Sequence, residues 1–131
     1  MTRLALFLSA AILAAPALAQ NPAAALDYSR RMASLTEIQR YAAIRRALQD
    51  NGQWCPRVTA AAFQQPYKNL AMWSARCGAI VKPQRTLAGT MPKSSADYAL
   101  FIGPDGTVQA APCGDLAKMK WPACRPLPAK P

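Results

Sequence analysis

Histidine is absent from this sequence, and acidic side chains are few: six Asp plus Glu stand against sixteen Lys plus Arg. Without imidazole, a serine or cysteine nucleophile lacks its ordinary general base. Zinc likewise loses its usual nitrogen ligand. The cysteines include no Cys-x-x-Cys pair, which argues against a zinc knuckle and against a dithiol redox centre. No run of eighteen apolar residues occurs after the first nineteen positions, so no membrane-spanning helix is expected in the remainder. No internal repeat stands out.

The few carboxylates are also spoken for. Glu37 suits a helix cap, Asp50 a helix end and Asp105 a turn. A glycosidase-type pair would have to come from Asp97 and Asp115, and no sequence feature brings these together. Met91-Pro92-Lys93-Ser94-Ser95 has neither the flanking glycines nor the preceding strand of a phosphate loop. A dyad of Lys93 with Ser94 or Ser95 would need adjacent loop side chains to hold catalytic geometry. The roles of an active site cannot be filled, so the expectation is a protein that is not an enzyme, with no cofactor and no metal.

What is present begins at the N-terminus. Arg3 precedes the apolar run Leu4–Ala15, and Pro16-Ala17-Leu18-Ala19 follows. These are the three regions of a secretory signal peptide in order, so residues 1–19 are expected to be cleaved and the mature chain exported, to the periplasm or beyond. Residues 20–33, Ala-rich with an early proline, read as a loose leader. A single α+β domain is expected over 34–124, with a Pro-rich tail over 125–131. Export makes Cys55, Cys77, Cys113 and Cys124 a disulfide set. Four cysteines permit three pairings.

The helix of the domain follows from periodicity. Leu35, Ile38, Tyr41, Ile44 and Leu48 recur at spacings of three and four, one stripe of an amphipathic helix. Ser34 and Glu37 have the spacing of a capping box, and Asn51-Gly52 supplies the stop. The strands come as two hairpins. Folding 54–77 about Pro66 sets Cys55 opposite Cys77, Val58 opposite Ser74 and Phe63 opposite Asn69. Tyr98–Ile102 turns through Gly103-Pro104-Asp105-Gly106 into Thr107–Ala111, where Pro and Gly provide the turn torsions and Pro112 ends the ladder. The first register favours Cys55–Cys77 with Cys113–Cys124. The expected fold is thus one long amphipathic helix on a small antiparallel sheet of two hairpins, disulfide-stapled, its Pro-rich tail pinned only at Cys124.

The net charge of +10 biases encounters toward anionic partners. Arg40, Arg45 and Arg46 on the helix, with Lys82, Arg85 and Lys93 in the irregular stretch 78–96, form the candidate contact surface. A loop of that length commonly carries function. Export removes the usual nucleic-acid targets, so no nucleic acid is expected. The composition fits a non-catalytic binding or accessory protein of the bacterial cell envelope, whose partner is an envelope protein, an anionic envelope component or a peripheral membrane surface. The second reading is a small inhibitor or effector that inserts the 78–96 loop into a target. The disulfide expectation has a direct check. Peptide mapping without reduction should recover Cys55 joined to Cys77 and Cys113 to Cys124, and four free thiols in exported material would refute it.

Overall fold

A computed structural model gives the fold and describes residues 22–78, 85–86, 89–90 and 96–128. The signal-peptide stretch lies outside the described residues. In chain order come α1 (Pro22–Ser34), α2 (Glu37–Asp50), β1 (Val58–Tyr67), β2 (Leu70–Cys77), β3 (Arg85–Thr86), β4 (Gly89–Thr90), β5 (Ala96–Ile102) and β6 (Val108–Pro112). The architecture is α+β: two helices lie on an antiparallel sheet of order β1-β2-β5-β6, and β3 pairs separately with β4.

Two helices replace the one long helix that the periodicity implied, and the first of them occupies the stretch read as a loose leader. The physical reason is plain in the residues. Pro22 stands at the first helical position, where its missing N–H costs nothing, and Ala23-Ala24-Ala25 has the best helix propensity available. The inward positions of α1 include Ala25 and Ser29, both buried, which give too weak an apolar stripe to be seen by periodicity. Ser29 nonetheless anchors the helix, because its hydroxyl accepts the buried indole N–H of Trp73 at 2.8 Å. The chain breaks at Leu35-Thr36. Thr36, two residues beyond the expected Ser34, caps α2 and exchanges side-chain and backbone hydrogen bonds with Gln39. Ile44 and Leu48 are buried as the stripe requires, but Ile38 is 83% exposed, so the stripe narrows toward the start of the helix.

The first hairpin turns at Lys68-Asn69, since Tyr67 pairs with Leu70. Its register therefore differs from the one centred on Pro66. Val58 faces Cys77, Phe63 faces Trp73, and β1 is shifted between Val58 and Ala60 and again between Phe63 and Gln65. Bulges of this kind admit extra residues on one strand. The pairing of cysteines survives the change because Cys55 precedes the strand and reaches Cys77 with a Cα–Cα distance of 5.3 Å. The second hairpin pairs Ile102 with Val108 and Tyr98 with Pro112. At its turn Asp105 accepts hydrogen bonds from the Thr107 hydroxyl and amide, and these hold its carboxyl below the usual carboxylate range.

The two hairpins join through β2 and β5 into one sheet, and both faces of that central pair are buried. On the helix side, Trp73, Ala75, Leu100 and Ile102 pack with Ala25, Ile44 and Leu48. On the other side, Met72, Ala99 and Phe101 pack with Leu116, against which Trp121, Cys113 and Cys124 also lie. Full burial of a side chain the size of Ile44, Leu48, Met72, Leu100 or Phe101 contributes about 1.5–3 kcal/mol. The C-terminal segment is thus the second cover of the sheet. Beyond Cys124 it is held again, because the Arg125 N–H donates to Gln64 Oε1 at 2.7 Å and Leu127 is buried. The expectation of a tail pinned only at Cys124 fails for this reason.

Asn51 closes one open edge. This residue ends α2, and its side-chain amide donates to the carbonyls of Ala47 (2.8 Å) and Val108 (3.0 Å) while its oxygen accepts from the Ala110 N–H (3.2 Å). A side-chain amide thereby pairs with the edge strand β6 as another strand would, which blunts an otherwise sticky edge. Asn51→Ala should lower stability by about 1–2 kcal/mol in urea denaturation. Asn51→Asp should cost at least as much, because it sets an anionic oxygen against two carbonyls. A neutral Asp variant would show that the donated bonds contribute nothing.

Candidate binding ridge

The cysteines pair as Cys55–Cys77 and Cys113–Cys124, so they are crosslinks and hold no thiol for chemistry. They also set the chain in a non-reducing compartment. Among the described residues no helix is long and apolar enough to cross a membrane, and no group of three potential metal ligands gathers.

The three α2 arginines singled out by sequence are each engaged by a different neighbour. Arg40 is turned onto the end of α1, donating from Nη1 to the carbonyls of Ala33 (3.0 Å) and Leu35 (3.4 Å). Arg45 donates to the Cys55 carbonyl at 3.1 Å. Arg46 pairs with Asp50 one turn on. Arg40 thus ties α2 to the end of α1 and Arg45 ties it to the following loop, while Arg46 is spent within α2 itself. Arg85 lies in the short strand β3, and Lys82 and Lys93 lie outside the described residues. The carboxylates are equally committed. Asp27 pairs with Arg30, Asp115 with Lys118, and Asp97 takes both arms of Arg76 at 2.8 and 3.0 Å. That bidentate pair on neighbouring strands raises Arg76 above its ordinary value. Asp97 and Asp115 are thus engaged by separate cations.

A different set of residues comes together at one end of the second face. Lys68 and Lys120 are the only non-glycine residues with positive φ among those described, at 54° and 56°. Lys68 opens the two-residue turn between β1 and β2, where a tight hairpin needs a left-handed residue. Lys120 closes the helical turn that follows Cys113. There the Trp121 N–H donates to the Leu116 carbonyl (3.0 Å) and the Lys120 N–H to that of Ala117 (3.1 Å), the bond pattern of a Schellman cap, in which glycine is the usual occupant. A row of rings connects the two turns. Lys68 Nζ lies 5.3 Å from the centre of the Tyr67 ring, Tyr67 meets Phe101 edge-on at 6.1 Å, and Phe101 meets Trp121 edge-on at 4.4 Å.

Phe101 is wholly buried, whereas Tyr67 and Trp121 are only partly covered and Met119 is 41% exposed. Neither lysine has an ion-pair partner among the described residues. The outcome is a ridge built on the buried Phe101 ring, with Lys68 over Tyr67 at one end and Trp121, preceded in the chain by the exposed Met119 and Lys120, at the other. Sequence reasoning missed it because nothing in a single sequence places Tyr67 and Trp121 on the same ring, that of Phe101. The one local signal was Lys68-Asn69 set between two apolar residues at a two-residue spacing.

No family model, curated protein or solved structure matches this chain.

The strain at the two lysines is measurable. Lys68→Gly and Lys120→Gly should each stabilise the protein by about 0.5–1 kcal/mol in urea denaturation, since glycine adopts positive φ without steric cost. Loss of stability in both variants would mean that the lysine side chains contribute more packing than their backbones cost.

Proposed function

We propose that the protein is an exported, non-catalytic binding protein of the cell envelope that attaches to anionic lipid surfaces through the ridge of Tyr67, Lys68, Met119, Lys120 and Trp121. The observation that carries this reading is the placement of lysine, in preference to glycine, at both left-handed positions flanking the aromatic row. Strained residues persist where the strain serves a purpose. Aromatic side chains with one polar end, beside lysines whose stems lie on apolar surface, suit the boundary between headgroups and acyl chains. The net charge of +10 acts in the same direction at longer range, and the N-terminal signal-peptide pattern would deliver the chain to such a surface.

The disulfide-bonded protein should co-sediment with vesicles of phosphatidylcholine and phosphatidylglycerol and not with phosphatidylcholine alone. Binding should weaken as salt rises toward physiological strength. Lys68→Gln with Lys120→Gln keeps the same backbone strain and removes only charge. At about 1 kcal/mol for each lysine near the surface, the double variant should bind roughly twenty- to thirtyfold more weakly. Equal binding to neutral vesicles, or full binding by the double variant, would overturn the assignment.

A further inference from the structure

On the opposite face of the sheet the helices leave a groove of about 240 Å³. Its walls come from Met32 on α1, Ile44 and Ala47 on α2, and Ile102 and Val108 on β5 and β6. No acidic side chain lines it. Its polar groups lie at the exposed rim, where the Arg31 guanidinium stands 5.5 Å from the centre of the Tyr28 ring. Tyr28 is a fixed wall, because its ring rests on Gly106, where an added Cβ would come within 2.9 Å of it. Gly106 itself has φ +83°, so the turn and the ring are matched. Among the described residues no carboxylate pairs with Arg31.

We infer that this groove binds one straight-chain carboxylate, a medium-chain fatty acid in chemical class, with the alkyl chain on Ile44, Ile102 and Val108 and the carboxylate at Arg31. Size and charge both select this occupant. The volume exceeds the roughly 150 Å³ that suffices for one small apolar molecule, yet it falls below the usual range of about 300–1,000 Å³ for drug-sized ligands. One short chain fits and a two-chain lipid does not. A single guanidinium fork matches a monoanionic carboxylate in charge and geometry, and would leave the second charge of a phosphate monoester uncompensated. The site stands independently of the ridge, since it uses the other face of the sheet. It does share an end with the ridge: Ile102 pairs with Ala71, next to the Lys68-Asn69 turn.

The test is calorimetric titration of the disulfide-bonded protein with decanoate, decanol and decyltrimethylammonium, followed by amide NMR. Decanoate should saturate one site and shift the resonances of Ala47 and Val108. Decanol should bind more weakly and the cationic amphiphile not measurably. Arg31→Gln should weaken decanoate about two- to fivefold, the range of an exposed ion pair, and leave decanol unchanged. Ala47→Leu fills the groove and should abolish binding of both. Ala43→Leu, at a more exposed position on the same lining, serves if Ala47→Leu unfolds. Lys68→Gln with Lys120→Gln should leave decanoate affinity intact, which separates this site from the membrane reading. Absence of saturable binding, a preference for the cationic amphiphile, or decanoate binding unmoved by groove filling would overturn the inference.

Discussion

The central strand pair β2–β5 buries apolar side chains on both of its faces, and that constraint organises the molecule. Along β2, Met72, Trp73, Ser74 and Ala75 are all buried in succession; along β5, so are Ala99, Leu100, Phe101 and Ile102. Antiparallel sheets more often leave one face to solvent. A small chain that does not must find two covers. Here α1 and α2 supply one, and the segment from Cys113 to Leu127 supplies the other. Each cover also meets a large ring of the sheet directly. Trp73 takes Ser29 on the helix side, and Phe101 takes Trp121 on the other.

The crosslinks follow from the same constraint. Neither cover is a long element with its own stability. The helices have 13 and 14 residues, near the length below which isolated helices are marginal in water, and the second cover contains only turns. Cys55–Cys77 ties the chain leaving α2 to the end of β2. Cys113–Cys124 closes the second cover on itself. For loops of 22 and 11 residues, restriction of the unfolded chain is worth about 3 kcal/mol apiece. That is a large share of the stability expected of a domain this size.

How much of this was legible in the residues depended on whether the signal was local. The Gly103-Pro104-Asp105-Gly106 turn, the Asn51-Gly52 stop and the buried positions Ile44 and Leu48 of α2 are written in short stretches, and each stands where its chemistry puts it. The disulfide pairing came out correctly from an incorrect register, because a covalent reach of 5.3 Å between Cα atoms tolerates a slip that strand pairing does not. Helix α1 was illegible for a different reason. Its inward face carries Ala25 and Ser29, and a serine that serves as an acceptor for a tryptophan looks polar until the tryptophan is in place. The ridge was the least legible feature, since Lys68 and Trp121 lie on opposite sides of the second hairpin and meet only through Phe101.

The distribution of charge then acquires a meaning that composition alone withheld. Each aspartate among the described residues is engaged, four by ion pairs and Asp105 by Thr107. Arg40 and Arg45 are consumed in joining the helices to their neighbours, and Arg46 by Asp50. The positive charge that remains unspent includes Lys68, Lys120 and Arg31, and these sit on rigid turns or at the rim of a groove. Surface lysines on mobile side chains attract anions weakly and anywhere. A lysine whose backbone is fixed at positive φ beside a packed ring cannot move its Cα away from the surface it faces. Such a charge costs folding stability, and the cost is the same whether or not a partner is present. Glycine at either turn would remove it. Lysine at both, at the two ends of one row of rings, is what the proposed contact with an anionic surface would use, and it sets the ridge apart from the rest of a generally basic surface.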